Sequence, residues 1–249
     1  MTKSIGFISP PNWFDPAPCE FPNIVEEKIV TQQAPILSPK FDYSFEAIAS
    51  SLDDLQLCGE SLKGAGCDLI AQVGSPFSWA LVKSEDEARA RCEMLARNIG
   101  VRVVMTGLAM IDALRAYKVK KIALNCTYYD PLWCERFAAF MVMCGFEVVH
   151  VSNLAQQGLV DKALRFEELG WSMTDDLTRK SIIKVAERAE NAEAIVVTGA
   201  GTRTLNILSD LEKRVGLQIV AADTSLYWAI AKELSLNLKP EIGMLAKLS

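Results

Sequence analysis

The chain has 249 residues, half of them hydrophobic, 23% charged and 8% aromatic, a composition that excludes a disordered chain and is ample for a buried core. Its net charge of −5, with no Lys/Arg cluster beyond short runs such as Lys118, Lys120 and Lys121, argues against nucleic acid or an anionic membrane surface as a partner. Seven scattered cysteines without a CxxC pair, and a start that runs from Met1-Thr2-Lys3 straight into an apolar stretch, predict free thiols in a reducing cytoplasm and no signal segment; no apolar run approaches the ~20 residues of a membrane span.

The first element in chain order is a buried strand, Ile5 to Ile8, ending at Ser9-Pro10-Pro11. The stretch from Asn12 to Lys40 carries five prolines and little periodicity, which predicts a long loop, either a lid over the crevice or a surface excursion. Tyr43 to Gly64 reads as a helix, with Phe45, Ile48, Leu52, Leu55 and Leu62 on its apolar face. A strand from Leu69 to Val73 leads into Gly74-Ser75-Pro76. Ser84 to Ile99 follows as a helix with acidic Glu85, Asp86 and Glu87 in its first turn, and Val101 to Met105 is a strand ending at Thr106-Gly107.

The plan then starts again. Lys121 to Leu124 precedes Asn125-Cys126-Thr127-Tyr128-Tyr129-Asp130, an apolar run around His150 forms a fifth strand, Ala194 to Val197 precedes Thr198-Gly199-Ala200-Gly201-Thr202, and Gln218 to Ala221 precedes Asp223-Thr224-Ser225. The segment from Gly66 to Ile70 matches that from Asn191 to Ile195, and Ile99 to Val103 matches Val215 to Ile219. Similar helices follow, around Ala109 to Leu114 and Leu226 to Ala231. The expected architecture is therefore α/β, with two pseudo-symmetric halves, each an open parallel sheet flanked by helices. Residues 1–116 with 230–249 form the first half and 117–229 the second, the tail packing back on the first. Ligands in such sheets bind beyond the carboxyl ends of the strands, which places a crevice between the halves.

The loops at those ends carry the candidate chemistry. The turn Gly74-Ser75-Pro76-Phe77-Ser78 offers the backbone N–H groups of its non-proline residues and two hydroxyls to a carboxylate or enolate, or else is a plain strand-to-helix turn with Ser as the helix cap. Thr198, Gly199, Ala200, Gly201 and Thr202 let backbone approach a ligand closely, without a nucleotide-binding fingerprint. Tyr128, beside Thr127, can orient a carboxylate while staying protonated. Cys126 is a candidate thiol whose alternative is inert packing, and Asp223 a candidate general base whose alternative is a helix cap. A single histidine with no clustered ligands speaks against a zinc site or a histidine triad. No motif calls for a metal or an organic cofactor. Trp79, Trp133, Trp171 and Trp228 suit a core or a subunit interface equally, so a homo-oligomer stays open.

These loops carry a resemblance. The runs Ile5-Gly6-Phe7-Ile8-Ser9-Pro10-Pro11, Asp68 to Ser78, Leu114 to Tyr128, Ile195 to Leu205 and Gly216 to Trp228 make nearly the whole chain similar to the aspartate/glutamate racemase superfamily, in its arylmalonate decarboxylase and maleate isomerase branch. The resemblance implies two pseudo-symmetric α/β halves with a small carboxylic acid bound between them. In that family one or two cysteines transfer protons: both loops carry one in racemases and maleate isomerases, and only the second in arylmalonate decarboxylases. Here the two positions match Gly74 and Gly199. What the resemblance leaves is a binding apparatus: Pro10 and Pro11 at the mouth, Ser75 and the Gly74 turn as oxyanion donors, Tyr128 as the carboxylate-binding tyrosine, and the turn from Gly199 to Thr202 opposite.

A cofactor-independent lyase acting by decarboxylation on a small carboxylic acid, aromatic if the nearby rings line the pocket, is the leading expectation, because enolate stabilisation needs donors rather than a thiol. Water, Cys126, Tyr128 or Asp223 would supply the proton. The alternatives are an isomerase or racemase with a relocated acid/base pair, a hydrolase or hydratase with an activated water, and a non-catalytic carboxylate-binding protein.

Overall fold

The protein is described by a computed structural model covering residues 2–38, 40–162 and 173–248. Apolar runs form two four-stranded parallel sheets. The first comprises β1 (Lys3–Ser9), β2 (Ile29–Pro35), β3 (Leu69–Gln72) and β4 (Arg102–Met105) in the order β2-β1-β3-β4. The second comprises β5 (Lys121–Asn125), β6 (Glu147–Ser152), β7 (Ala194–Val197) and β8 (Gln218–Ala221) in the order β6-β5-β7-β8. Helices cover both faces, so every residue of β3 and β7 is buried.

The helices of the first half are α1 (Ala17–Glu20), α2 (Phe45–Ser50), α3 (Leu52–Gly64), α4 (Pro76–Trp79), α5 (Glu85–Ile99) and α6 (Thr106–Ala116). Those of the second are α7 (Pro131–Met143), α8 (Asp175–Ala186), α9 (Leu208–Val215) and α10 (Ala222–Leu234). Local chemistry explains their ends. The Ser84 hydroxyl accepts the Glu87 N–H at 3.1 Å to start α5. Gly100 and Gly216, both in the left-handed region, stop α5 and α9.

The repeat read from the sequence is realised in register. Leu69 pairs with Arg102 and Ala194 with Gln218, at the matched positions of the two sheets. The matched helices α6 and α10 pack against each other where the halves meet.

Two expectations change. The proline-bearing segment is not a loop throughout: β2 runs parallel to β1 along the sheet edge, where one side of the strand has no ladder to lose to a proline. The helix expected over Tyr43 to Gly64 is two helices, broken at Ser51, whose hydroxyl donates to Ile48 O at 2.7 Å. The tail meets the first half where Leu234 O accepts from Lys3 Nζ, where Glu233 pairs with Arg102, and through residues 237–239, which bond to Glu26, Glu27, Asn23 and Ile24, while a 3-10 segment, Pro240–Leu248, packs on α9 and α10. Trp79 and Trp228 are core residues; Trp171 lies outside the described residues. Among the described residues, no helix is long and apolar enough to cross a membrane, and no cysteine is in a disulfide.

Candidate active site

β3 and β7 each run into a turn built on a glycine that side chains strain to replace: φ is +98° at Gly74 and +106° at Gly199. Ser75 follows Gly74 at the position of a helix cap, yet it already has helical angles and its side chain caps nothing. Instead its Oγ crosses to the other half, 2.9 Å from Thr198 Oγ1 and 3.4 Å from Tyr129 OH, which is itself 3.0 Å from Thr198 Oγ1. Three buried hydroxyls thus meet between the sheets. Each can donate as well as accept, so the cluster can turn O–H protons toward an anion that replaces one of its internal bonds.

The two tyrosines are aimed by the polar end of β5. Asn125 Oδ1 accepts from Thr127 N, Gln157 Nε2 and Ser181 Oγ at 3.2, 3.1 and 2.9 Å. This holds Thr127 at a φ of +46°, and the Thr127 hydroxyl donates to Thr198 O at 2.9 Å. The sharp turn sends the adjacent rings to different partners. Tyr129 joins the hydroxyl cluster, whereas Tyr128 OH receives the Gly201 N–H at 3.3 Å. Burial pushes both phenols above the usual tyrosine range, so both remain protonated donors at neutral pH.

Two cavities adjoin at Gly74 and Ala200, which line both. The larger, about 40 Å³, is walled by the rings of Tyr43, Phe77, Tyr128, Tyr129 and Trp133 with Pro10 and Pro76, a lining suited to a flat apolar group. The smaller, about 10 Å³ and so room for a single water, is lined by residues that include Asp15, Arg203, Asp223 and Tyr227.

In this smaller cavity Asp15 Oδ1 accepts the Ala17 N–H at 2.6 Å and lies 3.6 Å from Arg203 Nη1, while its Oδ2 is buried without a partner. Burial, against the opposing pull of Arg203, raises its pKa to about 6. Arg203 is bonded to Glu20 and Tyr227, and the Tyr227 hydroxyl donates to Glu20 at 2.7 Å.

Most residues singled out from the sequence therefore converge here, though not always as expected. Pro10, Gly74, Pro76, Tyr128 and Ala200 line the larger cavity, and Ser75 with Thr198 forms the hydroxyl cluster. Gly199 brings backbone against the Tyr128 ring. Pro11 supports the wall through its carbonyl, which accepts from Tyr43 OH. Thr202 faces Met173 Sδ at 3.3 Å, and the Gly201 N–H is engaged by Tyr128 rather than held open. Asp223 neither caps α10 nor stands free: both its oxygens accept from Thr204, from the N–H and the hydroxyl, each at 2.7 Å.

Cys126 is fully buried beside Cys134 and lines neither cavity, and burial pushes its thiol well above the ordinary range. Cys126→Ala is accordingly expected to leave turnover within a few-fold while costing about 1 kcal/mol of stability through a small cavity, measured by paired assays and urea unfolding; a hundredfold loss of turnover would restore the thiol to the chemistry. His150 binds Ser152 Oγ at 3.0 Å, on β6 away from both cavities. Tyr129, Asp15, Tyr43 and Trp133 were not singled out as site residues in the sequence. The Tyr-Tyr pair at a strand end was the one local signal for Tyr129; Asp15 lay inside the segment read as a loop.

Comparison with known proteins follows the same lines. A family model described as arylmalonate decarboxylase matches residues 5–245. The arylmalonate decarboxylase of Bordetella bronchiseptica is 24% identical over 196 residues, 76% of this chain and 71% of that protein. The maleate isomerase of Geobacillus stearothermophilus is 28% identical over 196 residues, 76% of this chain and 72% of that one. A maleate cis-trans isomerase mutant from Nocardia farcinica, solved with a covalently bound succinylcysteine intermediate, superposes over all of both chains with a TM-score of 0.79 at 17% identity.

Proposed function

The chain belongs to the arylmalonate decarboxylase family, and from that premise we propose that it is a cofactor-independent lyase that removes CO₂ from a small carboxylic acid bearing a flat apolar group. The observation that carries this reading is the Ser75 hydroxyl, which leaves the capping position and joins Thr198 and Tyr129 across the two halves. Loss of CO₂ leaves an electron pair on the α-carbon that spreads onto the remaining carboxylate as an enolate. Donors fixed in place before the reaction stabilise that charge more than they stabilise the substrate, which lowers the barrier. The aromatic cavity beside the cluster would hold the apolar group and keep water away from the bond that breaks.

The relative from Nocardia farcinica holds a succinylcysteine, and thiol addition requires a cysteine at the reacting bond. No cysteine lines either cavity here, and the resemblance aligns Gly74 and Gly199 with the thiol positions. Enolate stabilisation needs no such group, which favours the lyase over the isomerase.

The test is to incubate the protein with arylmalonates, maleate, short dicarboxylates and heteroaromatic acids, following CO₂ and products by mass spectrometry. Ser75→Ala is expected to lower kcat about ten- to hundredfold with little change in KM, as for loss of one oxyanion donor. Tyr128→Phe is expected to fall in the lower part of that range. Conversion of maleate without CO₂ release would replace the lyase with an isomerase, and ligands that raise Tm without any product would make this a binding protein.

A further inference from the structure

The hydroxyl cluster accounts for holding an enolate but not for protonating it, and the side chains around the cavities point to one as the donor. Burial holds Tyr128 and Tyr129 far from the acidity a proton donor needs near neutral pH. Cys126 is outside both cavities, and Thr204 occupies both oxygens of Asp223. Building on the lyase reading, we propose that Asp15 is the group that delivers the proton to the α-carbon, from the smaller cavity that adjoins the aromatic one at Gly74 and Ala200.

Asp15 is carried into the smaller cavity by the segment between β1 and α1, where it lines the wall together with Gly74 and Ala200, the two residues shared with the larger cavity. One carboxyl oxygen is anchored by the Ala17 N–H, and the other is buried with no protein partner, an arrangement that fixes the group while leaving one oxygen for a substrate. Its charged and titratable neighbours are Arg203, Glu20 and Asp223, with Tyr128 and Tyr227 also close enough to interact. Arg203 is already bonded to Glu20 and Tyr227, so it does not hold Asp15 as a committed carboxylate. The resulting pKa of about 6 lies where a carboxylic acid can give its proton and regain it, and a bound anionic substrate raises it further.

The step balances without a co-reactant. The bond between the α-carbon and the departing carboxylate breaks, CO₂ leaves, and the electron pair passes to the enolate. The Asp15 O–H bond then breaks as a C–H bond forms at the α-carbon, leaving an Asp15 carboxylate that is reprotonated from solvent after product release. Run in reverse, the Asp15 carboxylate removes an α-proton from the product.

Two reactions of the full chain test this together: CO₂ release from an arylmalonate, and exchange of the α-protons of 4-nitrophenylacetate in D₂O followed by NMR. Decarboxylation requires the acid form, so kcat/KM should fall tenfold per pH unit above about 6, whereas exchange requires the carboxylate and should rise to a plateau over the same range. Asp15→Asn is expected to slow both reactions at least a hundredfold while still binding 4-nitrophenylacetate by calorimetry. Asp15→Cys, no larger and with a higher ordinary pKa, is expected to recover part of the rate with both profiles moved toward pH 8; should the Asn variant not fold, this displacement carries the test. Asp15-dependent exchange without CO₂ release would retire the lyase reading and keep the proton-transfer assignment. Undiminished exchange in Asp15→Asn, unmoved profiles in Asp15→Cys, or no exchange by the unaltered protein would overturn the assignment.

Discussion

Gly199→Ala is expected to cost about 3–4 kcal/mol of stability, against about 1–2 kcal/mol for Gly74→Ala. The backbone term is shared, since both glycines hold φ near +100° and any side chain there is strained. The difference lies in what the new Cβ meets. At 199 it would stand 2.9 Å from Thr127 Oγ1 and from two ring carbons of Tyr128, whereas at 74 the nearest atoms, in Phe77 and Pro10, are 3.3 and 3.4 Å away. The Tyr128 ring cannot retreat cheaply, because it is buried and its hydroxyl is tied to the Gly201 turn. Urea unfolding of the two variants measures the contrast. Equal costs would show that the Tyr128 ring yields freely and that the second turn has more room than its contacts indicate. A cysteine placed in the first turn should thus be far better tolerated than one placed in the second.

Asp15→Asn is expected to be more stable than the unaltered protein at pH 8, by up to about 3 kcal/mol. The sign follows from proton binding. The folded protein keeps the Asp15 proton up to about pH 6, while the ordinary carboxyl gives it up near 3.8, so the folded state binds more protons between those values. Its stability is therefore full below the lower value, declines as pH rises through the folded pKa, and stays reduced above it. Asparagine has no charge to bury and can accept the Ala17 N–H in the same way. Arg203 meanwhile retains Glu20. The difference between variant and parent should vanish below about pH 3, grow chiefly between about pH 4 and 6, and level off above about pH 7 in thermal unfolding. An asparagine variant less stable than its parent at pH 8 would mean that the Arg203 attraction outweighs desolvation, and that Asp15 is an ordinary ionised partner. Lower activity together with higher stability is the pattern expected of a group strained for function.

Much of this architecture is legible in the sequence. Buried strands declare themselves as short apolar runs, and those of β1, β3, β5, β7 and β8 were placed within a residue or two because each ends in a cluster of turn residues. The twofold plan followed from matched segments, and Gly100 and Gly216 stop α5 and α9 because local chirality alone demands glycine there. β2 was hidden, since an edge strand that is half-buried along most of its length shows neither a continuous apolar run nor a clean alternation.

At the site, the turns that meet there could be read from the sequence, but the division of labour within them could not. Tyr128 and Tyr129 are neighbours of one type, and only the Asn125 network that bends Thr127 decides which ring enters the hydroxyl cluster. Ser75 satisfies the sequence pattern of a helix cap; its partner Thr198, from the other sheet, draws it away. Asp15 looks like any loop acid until burial and the distant Arg203 act on it together. Periodicity and turn chemistry are local properties, carried by consecutive residues and therefore determined by the sequence itself. Burial, pKa and the choice of hydrogen-bond partner depend on groups brought together from far along the chain, which only the tertiary structure could decide.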